Sequence, residues 1–521
     1  MELTGHAELQ LLALLAAFTV MVVAASRGRV PLPVLLVGGG LLLGFVPGLP
    51  RLALPPDLVL VAILPPLLYS SAFFTGLREL RANIRPISLL AVGLVAATTC
   101  GVAAVVHGAF GLSWPSAFAL GAIVSPTDAL AATEIANRLN APRRVVTIIE
   151  GESLVNDGVA LVLYRTAVAA GVAGTFSIWH ASARLVLNVI GGIAIGLAVA
   201  FVVRQIRRRV DDTPTEVTLA FLSGYLAYLP AEVLGVSGVL AAVTIGVYMG
   251  WYTPQLTTTE TRLSGNAFWE ILTFLVNALL FALIGLQLPA IVERLHLSDH
   301  LVAEAASVVA AVVAIRIACA PIVTYVPRLL FRRVRERDPY PPWQWPVVIS
   351  WAGIRGAVSL AAALALPTHF PGRDLIIFLT FVVILATLAG QALTLPALIR
   401  VLGVEDDGRS EREDAKARIR AAEAALARLE ELEVEDWVRE DTAERVRGQY
   451  RFRTNRFRAR YDGVDDDGVE ERSAAYQRLR REPLEAERGA VVDLRNRGVI
   501  NEEVMQRVQR DIDLEASRLD V

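Results

Sequence analysis

Apolar runs of about twenty residues recur through the first 401 positions of this 521-residue chain. A hydrocarbon core ~30 Å thick is crossed by ~20 helical residues, so that repetition commits the chain to an all-α polytopic membrane protein. A hydrophobic content of 54% and a mean hydropathy of +0.49 exceed what a soluble core of this size requires. The spacing predicts thirteen spans, starting near residues 8, 31, 57, 86, 115, 145, 182, 215, 236, 266, 301, 345 and 374. The span near 215 is short, bounded by Glu216, Pro230 and Glu232.

Arginine placement tests this count, because cytoplasmic loops carry the excess of basic residues. Alternate loops hold Arg27 and Arg29; Arg78, Arg81 and Arg85; Arg138, Arg143 and Arg144; Arg204 and Arg207 to Arg209; Arg262; and Arg328, Arg332, Arg333, Arg335 and Arg337. The loops between hold few, such as Arg51, Arg294 and Arg373. This alternation predicts an N-terminus outside and a C-terminus in the cytoplasm; the expected location is the plasma membrane. Met1 to Gln10 lack the positive segment of a signal peptide, so the first run is expected to remain a span.

Charge divides the chain in two. Residues 402–521 hold 55 of the 102 formal charges, leaving 26 basic and 21 acidic groups in the first 401. Residues 1–401 are therefore read as a transmembrane domain, and 402–521 as a charged, cytoplasmic α-helical tail with a regulatory role. Stretches 473–496 and 501–519 in the tail are expected to pack together or to dimerise, and 461–472 reads as an acidic linker. Neither part is basic enough for a nucleic-acid surface. Cys100 and Cys319 stand alone in apolar runs, which excludes a disulfide scaffold or zinc site. With Lys416 as the only lysine, the membrane part has no P-loop or Schiff-base lysine.

Ionisable residues within spans are costly and point to function, although each alone is equally explained by a structural ion pair. Those well inside spans are Asp128, Glu152, Asp157, Arg165, Arg316 and Arg355. In "EGESLVNDGVALVLY" (150–164), Ser153 and Asp157 lie four apart on one helix face, an oxygen face suited to a hard cation such as Na+. Glu152 and Asn156 form the neighbouring stripe, suited to holding the helix to its neighbours. In "SPTDALAA" (125–132), Pro126 removes a backbone donor just before Asp128. Such a break is tolerated where it lines a cavity, and freed carbonyls such as that of Thr127 are natural cation ligands. "AGIRGAVS" (352–359) repeats the pattern with Arg355. Interrupted segments in spans 5 and 12, seven apart, fit two inverted six-helix repeats joined by a seventh helix. Arg316, in mid-span, requires a carboxylate, and Glu152 is assigned to it. Arg165 is read as structural, reaching the outer interface, and His107 as an interfacial histidine.

These residues, with the ordered motifs "LPPLLY", "SPTDALA", "GESLVND", "FWEILTFLVNALLFALIGLQL" and "GIRGAVSLA", make residues 8–401 resemble the first cation:proton antiporter family, the NhaP/NHE type of sodium/proton exchangers. The resemblance implies thirteen helices with helices 5 and 12 crossed and unwound. It also implies a homodimer and alternating access by movement of a six-helix core against a dimerisation domain. It makes Asn156 and Asp157 the Asn-Asp pair of helix 6, with Asp157 the carboxylate that takes cation or proton. Ser153, Thr127 and Asp128 become further site residues, Glu152–Arg316 the structural pair, and Arg355 the compensator of helix dipoles. Where many relatives have an acid after Leu-Pro-Pro, this chain has Ser70 and Ser71.

The expected activity is exchange of Na+, with Li+ as a further substrate, for H+ at the Asp157 region, for pH and sodium homeostasis. Asn156 in place of a second carboxylate predicts one-for-one, electroneutral exchange. K+/H+ exchange and a non-transporting ion or pH sensor are the alternatives. No span sets a nucleophile beside a base, so no enzyme and no cofactor are expected; membrane lipids and a second copy of the chain are the expected partners.

Overall fold

The computed structural model describes residues 16, 18–23, 31–46, 58–173, 178–294, 299–406, 408–462 and 469–517. Every regular element among them is a helix, and the chain divides into two compact units, Met1–Glu405 and Asp406–Val521. Of the span expected from residue 8, residues 16 and 18–23 are described and helical, while Arg27, Arg29 and Arg51 fall outside the described residues.

In the first unit, α1 is Leu32–Gly44, α2 Leu64–Phe74, α3 Val95–Phe110, α4 Trp114–Val124 and α5 Ala129–Arg138. They are followed by α6 Arg143–Ala173, α7 Ile178–Arg207, α8 Thr213–Val233, α9 Gly238–Leu256, α10 Thr259–Arg294 and α11 Asp299–Leu330. Then come α12 Gln344–Trp351, α13 Ala357–Leu364, α14 Arg373–Thr387 and α15 Leu393–Leu402. Among the described residues, five helical stretches are long and apolar enough to cross a bilayer: Ile84–Phe110, Val186–Arg207, Thr259–Gln287, Leu301–Leu330 and Arg373–Leu402. The segment near 215 is a continuous helix with Pro230 inside it. It is anchored by a buried pair between Glu216 and Arg207 at 3.4 Å.

Proline sets the local geometry of α2. Pro65 and Pro66 occupy its first turn, where missing N–H groups cost nothing, and a π-helical stretch, Leu58–Ile63, leads into it. Gly246 and Gly250, four apart on α9, let that helix approach α2 closely. A Cβ on Gly246 would stand 2.7 Å from the carbonyl oxygen of Tyr69, and one on Gly250 would collide with that of Phe73. Small residues at this spacing bring membrane helices together by backbone contact.

Two breaks interrupt the membrane unit, at 125–128 between α4 and α5 and at 352–356 between α12 and α13. Each segment is closed off by local chemistry. Ser113 caps α4, and Asp128 caps α5 by accepting from the Leu130 N–H at 2.9 Å. The breaks meet: the Asp128 N–H donates to the Ile354 carbonyl at 2.7 Å. Gly356 is extended here, and a Cβ on it would sit on Asp128 Oδ2.

The second unit holds α16 Arg409–Leu432, α17 Glu440–Asp462, α18 Val469–Asn496 and α19 Glu502–Ser517. Arg447 pairs with Glu433, and Arg458 with Glu423, along α16 and α17. Leu484 and Val491 pack on Ile512 and Ala516, so α18 and α19 lie against each other within the chain. Residues 463–468 of the acidic linker fall outside the described residues.

Candidate cation-binding cavity

A cavity of about 260 Å³ opens where the first break passes α6. Asp157, Ser153, Asp128 and Thr127 line it together with Glu150 and Asn277. Ser153 and Asp157 lie one turn apart on α6, so both face the break at once. Ser153 ties helix to break in two directions. Its hydroxyl donates to the Thr127 carbonyl at 2.9 Å and accepts from the Ala129 N–H at 3.3 Å. Asp157 is 9% exposed and, among the described residues, its carboxylate accepts no hydrogen bond and faces no arginine. A carboxylate without such partners is chemically able to take up a proton or a metal cation.

Glu152 and Asn156 occupy the adjoining stripe of α6 and do not line the cavity. Glu152 is held by Arg316 of α11 through two hydrogen bonds, Nη1 to Oε1 at 2.6 Å and Nη2 to Oε2 at 3.0 Å. Arg316 also donates to the carbonyls of Ser350 and Ile349 at the end of α12. Glu152 Oε1 accepts from the Thr127 hydroxyl at 3.1 Å, and Asn156 Nδ2 donates to the same hydroxyl oxygen at 2.9 Å. The buried pair thus reaches from α6 to both broken segments. Both members are about 1% exposed, and at that depth only a full set of hydrogen bonds makes an ion pair sustainable. Asn156, expected among the cation-site residues, meets the Thr127 hydroxyl from behind the cavity wall, and among the described residues its Oδ1 has no hydrogen-bond partner.

Arg355 donates from Nε to the carbonyl of Val124 at 3.1 Å, the last residue of α4, and from Nη1 to Gly353. Its N–H is held by the Thr387 hydroxyl of α14. A guanidinium at a helix C-terminus satisfies orphan carbonyls and meets the negative end of the helix dipole. Ser71 lines the cavity, whereas Ser70 turns its hydroxyl to its own helix, donating to the Leu67 carbonyl at 2.9 Å.

The remaining sequence candidates lie away from the cavity. Arg165 pairs with Glu232 of α8 at 2.6 Å. His107 stacks on Trp114, and its Nδ1 lies 2.7 Å from the Leu112 carbonyl.

Sequence reasoning passed over Glu150 and Asn277. The signal for Glu150 was present: 150, 153 and 157 are spaced three and seven apart, one face of one helix. Asn277 was visible only as a polar residue in an apolar run. A third omission lies away from the cavity. Asp338 binds Arg85 at 2.5 Å, Arg144 at 2.8 Å and Arg328 at 2.7 Å. Burial works to raise this carboxyl's pKa, but the Arg144 hydrogen bond and charge, with those of Arg328, outweigh it and hold it below the usual carboxylate range.

A membrane bundle with two broken segments crossing beside an unpaired buried carboxylate is the architecture of a secondary ion transporter. Residues 12–401 match the family described as "Sodium/hydrogen exchanger, transmembrane". An uncharacterized Na+/H+ exchanger of Mycobacterium tuberculosis is 37% identical over 98% of this chain and 95% of its own length. The Na+/H+ antiporter ApNhaP of Aphanothece halophytica is 32% identical over 94% of this chain and 92% of its own. The solved structure of the sodium proton antiporter MjNhaP1 from Methanocaldococcus jannaschii superposes with a TM-score of 0.58 at 18% identity. It covers 76% of this chain and 100% of that one, a likeness of fold. The chain belongs to the sodium/hydrogen exchanger family, whose members are cation/proton antiporters.

Proposed function

We propose that the protein exchanges intracellular Na+, with Li+ as a further substrate, for external H+ across the plasma membrane, one for one and without net charge movement. The observation that carries this reading is the convergence of Asp157, Ser153, Asp128 and the break at Thr127 on one cavity. Proton and cation compete for the Asp157 carboxylate, and that competition couples the two fluxes. Ser153, Asp128 and the Thr127 carbonyl supply oxygen ligands of the kind a hard monovalent cation requires. Asn156 carries no charge, Asp128 is engaged in capping α5, and in this reading Asp157 alone trades one proton for one cation per cycle. Arg355 and the Glu152–Arg316 pair keep the breaks in place.

In this reading the membrane unit has thirteen spans built as inverted six-helix repeats, with the N-terminus outside and the C-terminus in the cytoplasm. It works as a homodimer in which a six-helix core moves against a dimerisation domain. The tail, residues 402–521, is regulatory. The exchanger serves pH and sodium homeostasis and uses no cofactor.

A broader cation range is the second reading. A relative from Bacillus pumilus, 34% identical over 71% of this chain, is named a sodium, potassium, lithium and rubidium/H+ antiporter. Proton flux in reconstituted vesicles, read with a pH-sensitive dye while Na+, Li+ or K+ is added, separates the two. Flux with Na+ and Li+ that ignores an imposed membrane potential is the expected result. Flux with K+ alone would replace Na+ exchange by K+ exchange, and dependence on potential would overturn the one-for-one stoichiometry.

A further inference from the structure

Glu150 is a carboxylate that the exchange chemistry above does not use. It lies on the wall of the same cavity as Asp157 and Asp128, half-buried, two helical turns before Asp157 on the same face of α6. At 1.5 Å of rise per residue, seven residues put the two about 10 Å apart along the helix axis. Among the described residues Glu150 makes no hydrogen bond and no ion pair. The charges acting on it are Glu79 and Arg143. Arg143 is already engaged, its Nη2 lying 2.7 Å from Glu79 Oε1, and Glu79 also accepts from the Thr147 hydroxyl at 3.5 Å. Arg143 and Glu79 thus neutralise each other at the start of α6, and the Glu150 charge stays uncompensated on the cavity wall.

A structural role for this acid finds no support in its surroundings. A carboxylate kept for stability is paired or fully hydrogen-bonded, as Glu152 is two residues later. Glu150 instead stands on the arginine-bearing side of Asp157, the side from which the proposed function brings the cation. While ionised, a carboxylate in a cleft with low-dielectric walls concentrates cations there. The Glu79–Arg143 pair beside it leaves that field in place.

We propose that Glu150 is a cation-gathering residue of the exchange cycle: it draws a monovalent cation to the inner part of the cavity, from which the cation passes to Asp157. The inference rests on the exchange reading of the cavity. It sets apparent cation affinity and leaves the exchange ratio to Asp157. Asn277, an uncharged polar group on the same wall, supplies a dipole along that path.

The test is cation-driven proton flux in vesicles reconstituted with the full chain, comparing wild type, Glu150→Gln and Glu150→Asp across a Na+ titration at low ionic strength. Removing one charge about 10 Å from the binding carboxylate, at an effective dielectric between the protein surface and water, raises the Na+ KM roughly two- to tenfold. Glu150→Asp keeps the charge and returns most of the affinity. The maximal rate falls less than KM rises. Raising ionic strength with an impermeant, non-transported salt shrinks the difference, because the Debye length contracts from ~10 Å at 0.1 M to ~3 Å at 1 M. A merely structural role would not produce that salt dependence. An unchanged KM in Glu150→Gln, or a KM change indifferent to salt, overturns the proposal while wild-type flux leaves the exchange reading standing. Absence of flux from folded wild-type protein with every cation overturns both.

Discussion

The N–H of Asp128 and the carbonyl oxygen of Ile354 meet at 2.7 Å, joining the two interrupted membrane segments at the point where each leaves its helix. Backbone groups freed inside a bilayer cost several kcal/mol apiece if left alone, of order 2–7 in apolar surroundings. Here each break satisfies a group of the other. The arrangement requires glycine at 356, because any side chain there would occupy the position of the Asp128 carboxylate.

Gly356→Ala is therefore expected to displace Asp128 and abolish cation-driven proton flux in vesicles, with the protein still inserted. Gly108→Ala, in the last turn of α3 with open space where a Cβ would stand, is the matched control. It should leave flux intact and raise stability by up to about 1 kcal/mol, as alanine does in a helix. Flux retained in Gly356→Ala would show that the crossing tolerates a side chain.

Glu152 and Arg316 should fail together. Removing one partner, as in Glu152→Gln or Arg316→Ala, strands a buried charge at a cost of about 3–5 kcal/mol. The melting temperature in detergent falls accordingly. The paired change Glu152→Gln with Arg316→Met should recover a good part of that loss. Additive losses in the double variant would contradict a buried pair.

Asp338 binds three arginines from Arg85, at the start of the span leading into α3, from α6 and from α11, and Asp338→Asn should lower stability by about 1.5–3 kcal/mol. The pH dependence follows from its depressed pKa. The contribution is fully present above the unfolded carboxyl value of ~4 and is lost as pH falls through the lower folded value. The melting-temperature gap between wild type and Asp338→Asn should stay constant near neutrality and close in acid. A gap that opens or closes around pH 7 would assign it to another group.

What the sequence disclosed and what it withheld divide along physical lines. The Ser153–Asp157 face and the break after Pro126 follow from helical periodicity and a missing N–H, both local properties of a few consecutive residues. The contact of Glu152 with Arg316 was readable because a charge buried in lipid has few acceptable partners. Asn156 is placed among the site residues by resemblance; its amide meets the Thr127 hydroxyl, and Thr127, not Asn156, lines the cavity. Which way an amide turns on a helix stripe depends on what packs there. Asp338 sits in a polar loop, and its partners Arg85 and Arg144 lie 253 and 194 residues away. Nothing local marks such a contact.

Proton movement driven by a Na+ gradient, in vesicles carrying equal amounts of folded wild type or Asp157→Asn, bears most directly on the central assignment. The account predicts Na+-driven, saturable proton flux from wild type and none above empty vesicles from Asp157→Asn. Equal flux from the two proteins would contradict it, because the carboxylate that couples cation to proton would have to lie elsewhere.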